Sequence, residues 1–512
     1  MTYQALVRAV AALGLAALAG PSAFAQIQST WENPVSGSWT DAAFWSTPEF
    51  PTARGPDTYL AIIDQTGSAY TISLGSAVDL DGLRFTSGNA TIDGGGLGTI
   101  VVRTDLEFGG ATARAIAELL VEGTLRFTSA AGSTLDDTPL CLPGLATARK
   151  TGSGTINLIG TSIIEQLAGS LFIIENSGDF TGDSTARWNN DGLIVKQSPG
   201  DTRVVGIAFN NTGTVVVEQG AFIVENPVLP SALTLGPATY DIGDGARFDL
   251  PGTTLATNEA TVIFRGPDSV FDQFSNINTN RGTVRAEGGA NVAFTPTLGL
   301  VNEGVLIADG NSSRISLGGN LANNGGIVTL LNGGVVSSAN GSGSVNNNGG
   351  LLQGNGTIQG ATILNNGIVS PGNSPGVLIT EGDGSGLPHI YQQGPAGTLL
   401  IEIGGRTPGI GHDVLEVRGI ALLDGVLQLE FLPFTGEPPV TPGDQFQILL
   451  AEGIDGRFRD VILNGLGGEG AVEVFINPGV VVVVVVSIPA PGSLALLGLG
   501  AVFATRRRRA VS

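Results

Sequence analysis

The stretches NEATVIFRG (258–266), NRGTVRAEG (280–288), NEGVLIADG (302–310) and NGGIVTLLN (324–332) decide how this chain folds, because each begins 22 residues after the one before. Four residues past the asparagine stand Val262, Val284, Leu306 and Val328, and six past it Phe264, Ala286, Ala308 and Leu330. Positions two apart share one face of a strand, so these apolar pairs point to one side. Eight past the asparagine come Gly266, Gly288, Gly310 and Asn332, residue types that tolerate positive φ and turn the chain. Weaker copies lie at Asn190-Asp-Gly, Asn211-Thr-Gly, Asn348-Gly-Gly and Asn365-Asn-Gly. The 47 residues from Asn211 to Asn258 are close to two periods, as if one copy has lost its asparagine.

A strand, a turn and a return to the same phase describe one coil of a β-solenoid. A single coil cannot bury its inward side chains. Stacked on a neighbour, it pairs its backbone above and below and lines up equivalent residues in ladders. Stacked asparagines at a turn hydrogen-bond along the axis, so the asparagines read as turn residues rather than as sugar ligands. Glycine-rich punctuation runs from about Gly67 to Gly372, enough for about fourteen coils. The hexapeptide rhythm of a left-handed coil is absent. The expected fold is all-β: a right-handed parallel β-helix over 67–376, with a β-rich C-terminal cap and a short C-terminal transmembrane helix.

Composition agrees. Glycine makes up 78 of 512 residues and charged residues only 13%, while the hydrophobic fraction of 42% excludes a disordered polar chain. The net charge of −21 repels phosphates, which excludes nucleic-acid binding. Cys141 stands alone, so no intrachain disulfide or thiolate cluster forms.

The two ends differ from the middle. Arg8, an apolar run and Ala23-Phe24-Ala25 form an export signal (1–25), cleaved between Ala25 and Gln26. Segment 26–66 holds Trp31, Trp39 and Trp45, three of the four tryptophans. It reads as a cap over the apolar end of the first coil, with a sugar-stacking platform as the alternative. Segment 377–487 alternates cleanly at Leu415, Val417, Leu427, Leu429 and Phe431. It is expected to continue the solenoid as a cap or to form a small sandwich beside it. In 488–512, Pro489 and Pro491 precede an uncharged stretch to Thr505, then Arg506, Arg507, Arg508 and Arg509. The fifteen residues from Pro491 to Thr505 make a helix of about 22 Å, short for a ~30 Å hydrocarbon core, and the arginines stay on the cytoplasmic side. The leader would start export and the tail would halt it.

The tail, Ile488-Pro489-Ala490-Pro491 followed by Gly492 to Gly500 and the four arginines, resembles the PEP-CTERM sorting signal, with Ala490 where that family usually has glutamate. The resemblance implies an exosortase-like processing enzyme as partner, an inner-membrane precursor and a final place at the cell surface or in an extracellular matrix. The spaced tryptophans, and Ser370-Pro-Gly-Asn-Ser-Pro-Gly376 followed by Asp413, Leu415, Val417 and Gly419, resemble bacterial β-helical surface proteins and autotransporter passenger segments. A complete autotransporter also needs a C-terminal membrane barrel, and about 110 residues after the coils do not supply one.

Chemistry is sparse. Asp136-Asp137 are neighbours that a strand points to opposite faces. Asp241, Asp244 and Asp249 form an acidic group suited to Ca²⁺ or to acid–base work. His389 and His412 are the two histidines, and His412-Asp413 lacks a nucleophile motif. The reading is therefore an exported structural or adhesive protein, expected to associate with extracellular polysaccharide, with no catalytic residues and no cofactor. A polysaccharide lyase or hydrolase on the same fold is the alternative.

Overall fold

The computed structural model describes residues 26–53, 57–338, 343–382, 388–466 and 470–488. It divides into two compact units, Met1–Val195 with Thr202–Asn210, and Lys196–Asp201 with Asn211–Ser512. Each is a β-solenoid of stacked, mostly parallel strands, with two short 3₁₀ turns as the helical content of the described residues.

In the first unit, stacking begins ahead of Gly67. Ile27–Thr30 pairs in parallel with Tyr59–Ile63, and Gly37–Ser38 with Tyr70–Ser73. The segment read as a cap, 26–66, contributes the first of these strands, up to Ile63. One wall then runs through Thr124–Phe127, Thr147–Lys150 and Leu171–Ile174, another through Pro139–Leu142, Ile163–Gln166 and Arg187–Asn190. A third carries Ala90–Asp93, Thr112–Arg114, Ser133–Asp136 and Ile156–Ile159. Inward residues stack by type: Phe85 lies over Phe108 at 5.5 Å, and Phe108 over Phe127 at 5.7 Å.

The second unit contains the repeat read from sequence. Val262, Val284, Leu306 and Val328 pair in register and are fully buried. Each such side chain contributes about 1.5–3 kcal/mol of burial free energy. The column continues through Leu352, Val369, Leu399 and Leu427. The turn positions adopt the expected left-handed backbone, with φ of 97° at Gly266, 63° at Gly288, 106° at Gly310 and 51° at Asn332.

Parallel stacking does not stop at residue 376. Val377–Glu381 pairs with Thr357–Gln359 and Val414–Leu423, and Val426–Phe431 pairs with Asp460–Asn464. The chain then reverses: Val480–Ser487 lies antiparallel between Gln445–Gly456 and Ala471–Asn477. The valine run is thus a strand. The C-terminal membrane helix expected at 491–505 lies outside the described residues. Among the described residues no helix is long and apolar enough to cross a membrane.

Candidate functional site

The most concentrated polar feature is the asparagine ladder. Asn258, Asn280, Asn302, Asn323, Asn347 and Asn365 are fully buried. Each Nδ2 donates to the next Oδ1 at 2.8 Å, and Asn365 ends the series on Gln393 Oε1 at 3.2 Å. The second amide proton goes to the turn's own backbone, as in Asn302 Nδ2 to Gly304 O at 3.2 Å. A donor and an acceptor on one planar group, repeated at the coil spacing, satisfy one another without water. The glycine of the motif has its own cause: a Cβ at Gly304 would lie 2.1 Å from Gly282 O.

One register differs from the sequence reading. Asn323 and Asn347 occupy the ladder, while Asn324 and Asn348 are exposed and bonded to each other at 3.0 Å. Asn302 pairs with Asn323, yet Leu306 pairs with Val328, so the turn holds one extra residue. Gly325 at φ 75° absorbs it, and Gly349 at φ 75° does the same one coil on.

Asp241, Asp244 and Asp249 do not converge. Asp241 sits on Thr239–Ile242 and accepts Arg265 Nε at 2.6 Å and Nη2 at 2.9 Å. Arg265 also pairs with Glu287, Arg285 with Glu287 and Asp309, and Asn332 with Asp309, which makes a charge ladder on the outer face. Asp249 lies on a different sheet, held by Arg247 at 2.7 Å and by Gln273 at 2.8 Å. Asp244 accepts Asp268 N at 3.1 Å. Among the described residues, no group of three or more His, Cys, Asp or Glu side chains is arranged to hold a metal ion.

His412 and Asp413 are both fully buried, and both face backbone. The His412 ring nitrogens lie 3.2 Å from Gly405 O and 3.2 Å from Gln447 O. Asp413 accepts Gly376 N and Glu402 N, each at 2.9 Å. The carboxylate therefore clasps the Ser370–Gly376 loop to the neighbouring strand. Burial pushes its pKa up to about 7, against the two N–H donors that pull it down. His389 is buried with Nδ1 at 2.8 Å from Gly360 O, and burial lowers its pKa.

The tryptophans offer no free ring face. Trp31 stacks on Phe44 at 4.8 Å and meets Trp45 edge-on at 5.2 Å, and Trp39 meets Trp45 at 4.9 Å. Their indole N–H groups donate to Val35 O, Pro51 O and Trp39 O. Three aromatic rings with satisfied polar edges, at most 4% exposed, make a core plug rather than a sugar platform.

Sequence reasoning missed the lysines. Lys150 and Lys196 are fully buried. Lys150 occupies the inward place between Phe127 and Ile174, and its amine donates to Gly152 O at 3.0 Å. The Lys196 amine donates to the carbonyls of Ser198, Gly200 and Gln219, and burial lowers its pKa to about 8. The available signal was the lysine at the inward phase of the strands TARK and LIVK.

Of the sorting and cleavage residues, Gln26 opens the described chain, whereas Ala25, Pro489, Pro491 and Arg506 to Arg509 lie outside the described residues. Neither a protein-family model nor a curated protein sequence matches the chain.

Proposed function

We propose that the protein is an exported, exosortase-sorted β-solenoid with a structural or adhesive role at the cell surface or in an extracellular polysaccharide matrix. The observation that carries this reading is the pairing of an export leader with a Pro-x-Pro, short apolar and tetra-arginine tail around a solenoid body. The precursor sits in the inner membrane with its body outside, and the processed form lacks residues after about Pro491. The coil is right-handed, the hand that parallel crossover connections favour. Support for a non-catalytic body comes from its buried polar groups. The ladder asparagines, His412, Asp413 and the two lysines all bond to backbone or to one another, which holds the coils together.

The test is mass spectrometry of the C-terminal peptide from the surface-exposed form. A terminus near Pro491 is the expected result; an intact Arg509-containing terminus rejects processing. Incubation with a panel of acidic polysaccharides tests the body, and chain cleavage there overturns the structural role in favour of a lyase or hydrolase.

A further inference from the structure

The last strands of the second unit each keep one edge unpaired among the described residues. Among the described residues, Asp460–Asn464 pairs on one side only, with Val426–Phe431, and Ala471–Asn477 on one side only, with Val480–Ser487. Val461 continues the inward column of Leu399 and Leu427. Leu427 is 0% exposed, but Val461 is 38% exposed. Ile476 lies opposite the fully buried Val481 and is itself 37% exposed. The core columns thus run out to an open end. The edge strands Asp-Val-Ile-Leu-Asn and Ala-Val-Glu-Val-Phe-Ile-Asn carry no Pro, Lys or Arg, and one charge each, Asp460 and Glu473, as protection of the free edge.

We propose that this end pairs with the same end of a second copy of the chain. The edges are self-complementary. Antiparallel pairing about Ile462 sets Asp460 opposite Asn464 and Val461 opposite Leu463. Pairing about Val474 sets Glu473 opposite Phe475 and Val472 opposite Ile476. Neither register places like charges face to face, as an isologous contact between identical edges requires. The chain's own tail is the other candidate cover. Under the processing reading, on which this step rests, about four residues remain beyond Ser487, at most ~14 Å of chain. That is too little to cover two sheet edges. A lipid surface is disfavoured because Asp455, Asp460 and Glu473 accompany Arg457 and Arg459 there, with no basic cluster for anionic headgroups.

Sedimentation velocity on the purified surface form tests the pairing. A doubling of mass at micromolar concentration is expected. Ile462→Lys and Phe475→Lys alter residues 42% and 45% exposed, so each leaves the fold intact and weakens the dimer at least tenfold. Leu145→Lys, at a residue 91% exposed in the other unit, leaves it unchanged. A monomer at every concentration, or a dimer that survives both edge substitutions, overturns the proposal. The intact mass of the same sample reports separately whether the tail has been removed, so a failure of processing is not confused with a failure of pairing.

Discussion

At the scale of the residue, the ladder asparagines explain why the repeat is visible at all. A position that must bond to its own copy above and below tolerates little besides itself, so it recurs in the sequence. The same logic shows where reading stopped. Asn323-Asn324-Gly-Gly offers two asparagines, and only the turn geometry around Gly325 selects the first. Asn323→Ala should cost about 2–5 kcal/mol, because it strands the Asn302 amide and the Asn347 carbonyl oxygen. Asn324→Ala, at an exposed position, should cost less than about 0.5 kcal/mol. Urea denaturation of the two variants checks the assignment, and equal shifts would put the register back at Asn324. A second pair probes the strand phase. Val284→Asp buries an unpaired carboxylate and costs several kcal/mol. Arg285 points outward as the alternation requires, but it pairs with Glu287 at 2.5 Å and Asp309 at 2.6 Å. Arg285→Asp therefore sets three acids together and costs about 1 kcal/mol, still well below Val284→Asp in the same melts. The lysines were missed for the opposite reason: strand phase points them inward, but hydropathy places Lys outside, and only backbone carbonyls converging on the amine make the inward place habitable.

At the scale of the element, alternation in 377–487 was legible as strands, while their joining to the coils was not. Clean period-two patterning fits a sandwich and a solenoid equally well. The deciding contact is the Asp413 clasp, which ties the Ser370–Gly376 loop to Thr398–Ile403 through Gly376 N and Glu402 N. A Cβ at Gly372 would come within 2.3 Å of Asp413 Oδ1, so the loop closes directly on the carboxylate. The proton balance of this clasp is measurable. The folded pKa of about 7 lies above the ordinary 3.8, so the folded state binds the extra proton. The contribution is full below about pH 4 and is lost as pH rises towards 7. Asp413→Asn removes this titration and places an amide donor against one of the two N–H groups. The expected outcome is a lower melting temperature by about 1–3 kcal/mol of stability, with a flatter pH profile between 4 and 7. An unchanged profile would assign the titration to another group.

At the scale of the whole molecule, charge was the most legible property and ligand the least. Few residue types carry the fold, and the features that propose a function lie in the leader and the tail, where motif rather than packing is informative. A net charge of −21 keeps copies apart in dilute salt, and the pI of about 4.4 marks where that repulsion vanishes. The open edges at Asp460–Asn464 and Ala471–Asn477 then meet unopposed. Acid thus acts in two ways at once: it protonates Asp413 and steadies the fold, while it discharges the surface and favours association. Salt separates them. Raising ionic strength at pH 7 shortens the Debye length from ~30 Å at 0.01 M to ~3 Å at 1 M and leaves Asp413 buried from solvent. Lowering the pH from 7 towards 4.4 should therefore raise the light scattering, and it should raise the melting temperature of the native chain relative to Asp413→Asn, because buried His389 and His412, whose pKa values burial lowers from 6.5, oppose the gain equally in both chains. High salt at pH 7 should raise the scattering while the pH-linked gain in melting temperature stays absent. Paired scattering and calorimetric scans decide the matter. If salt reproduces the melting gain, the stabilisation by acid comes from relief of surface repulsion, and the Asp413 clasp is not its source.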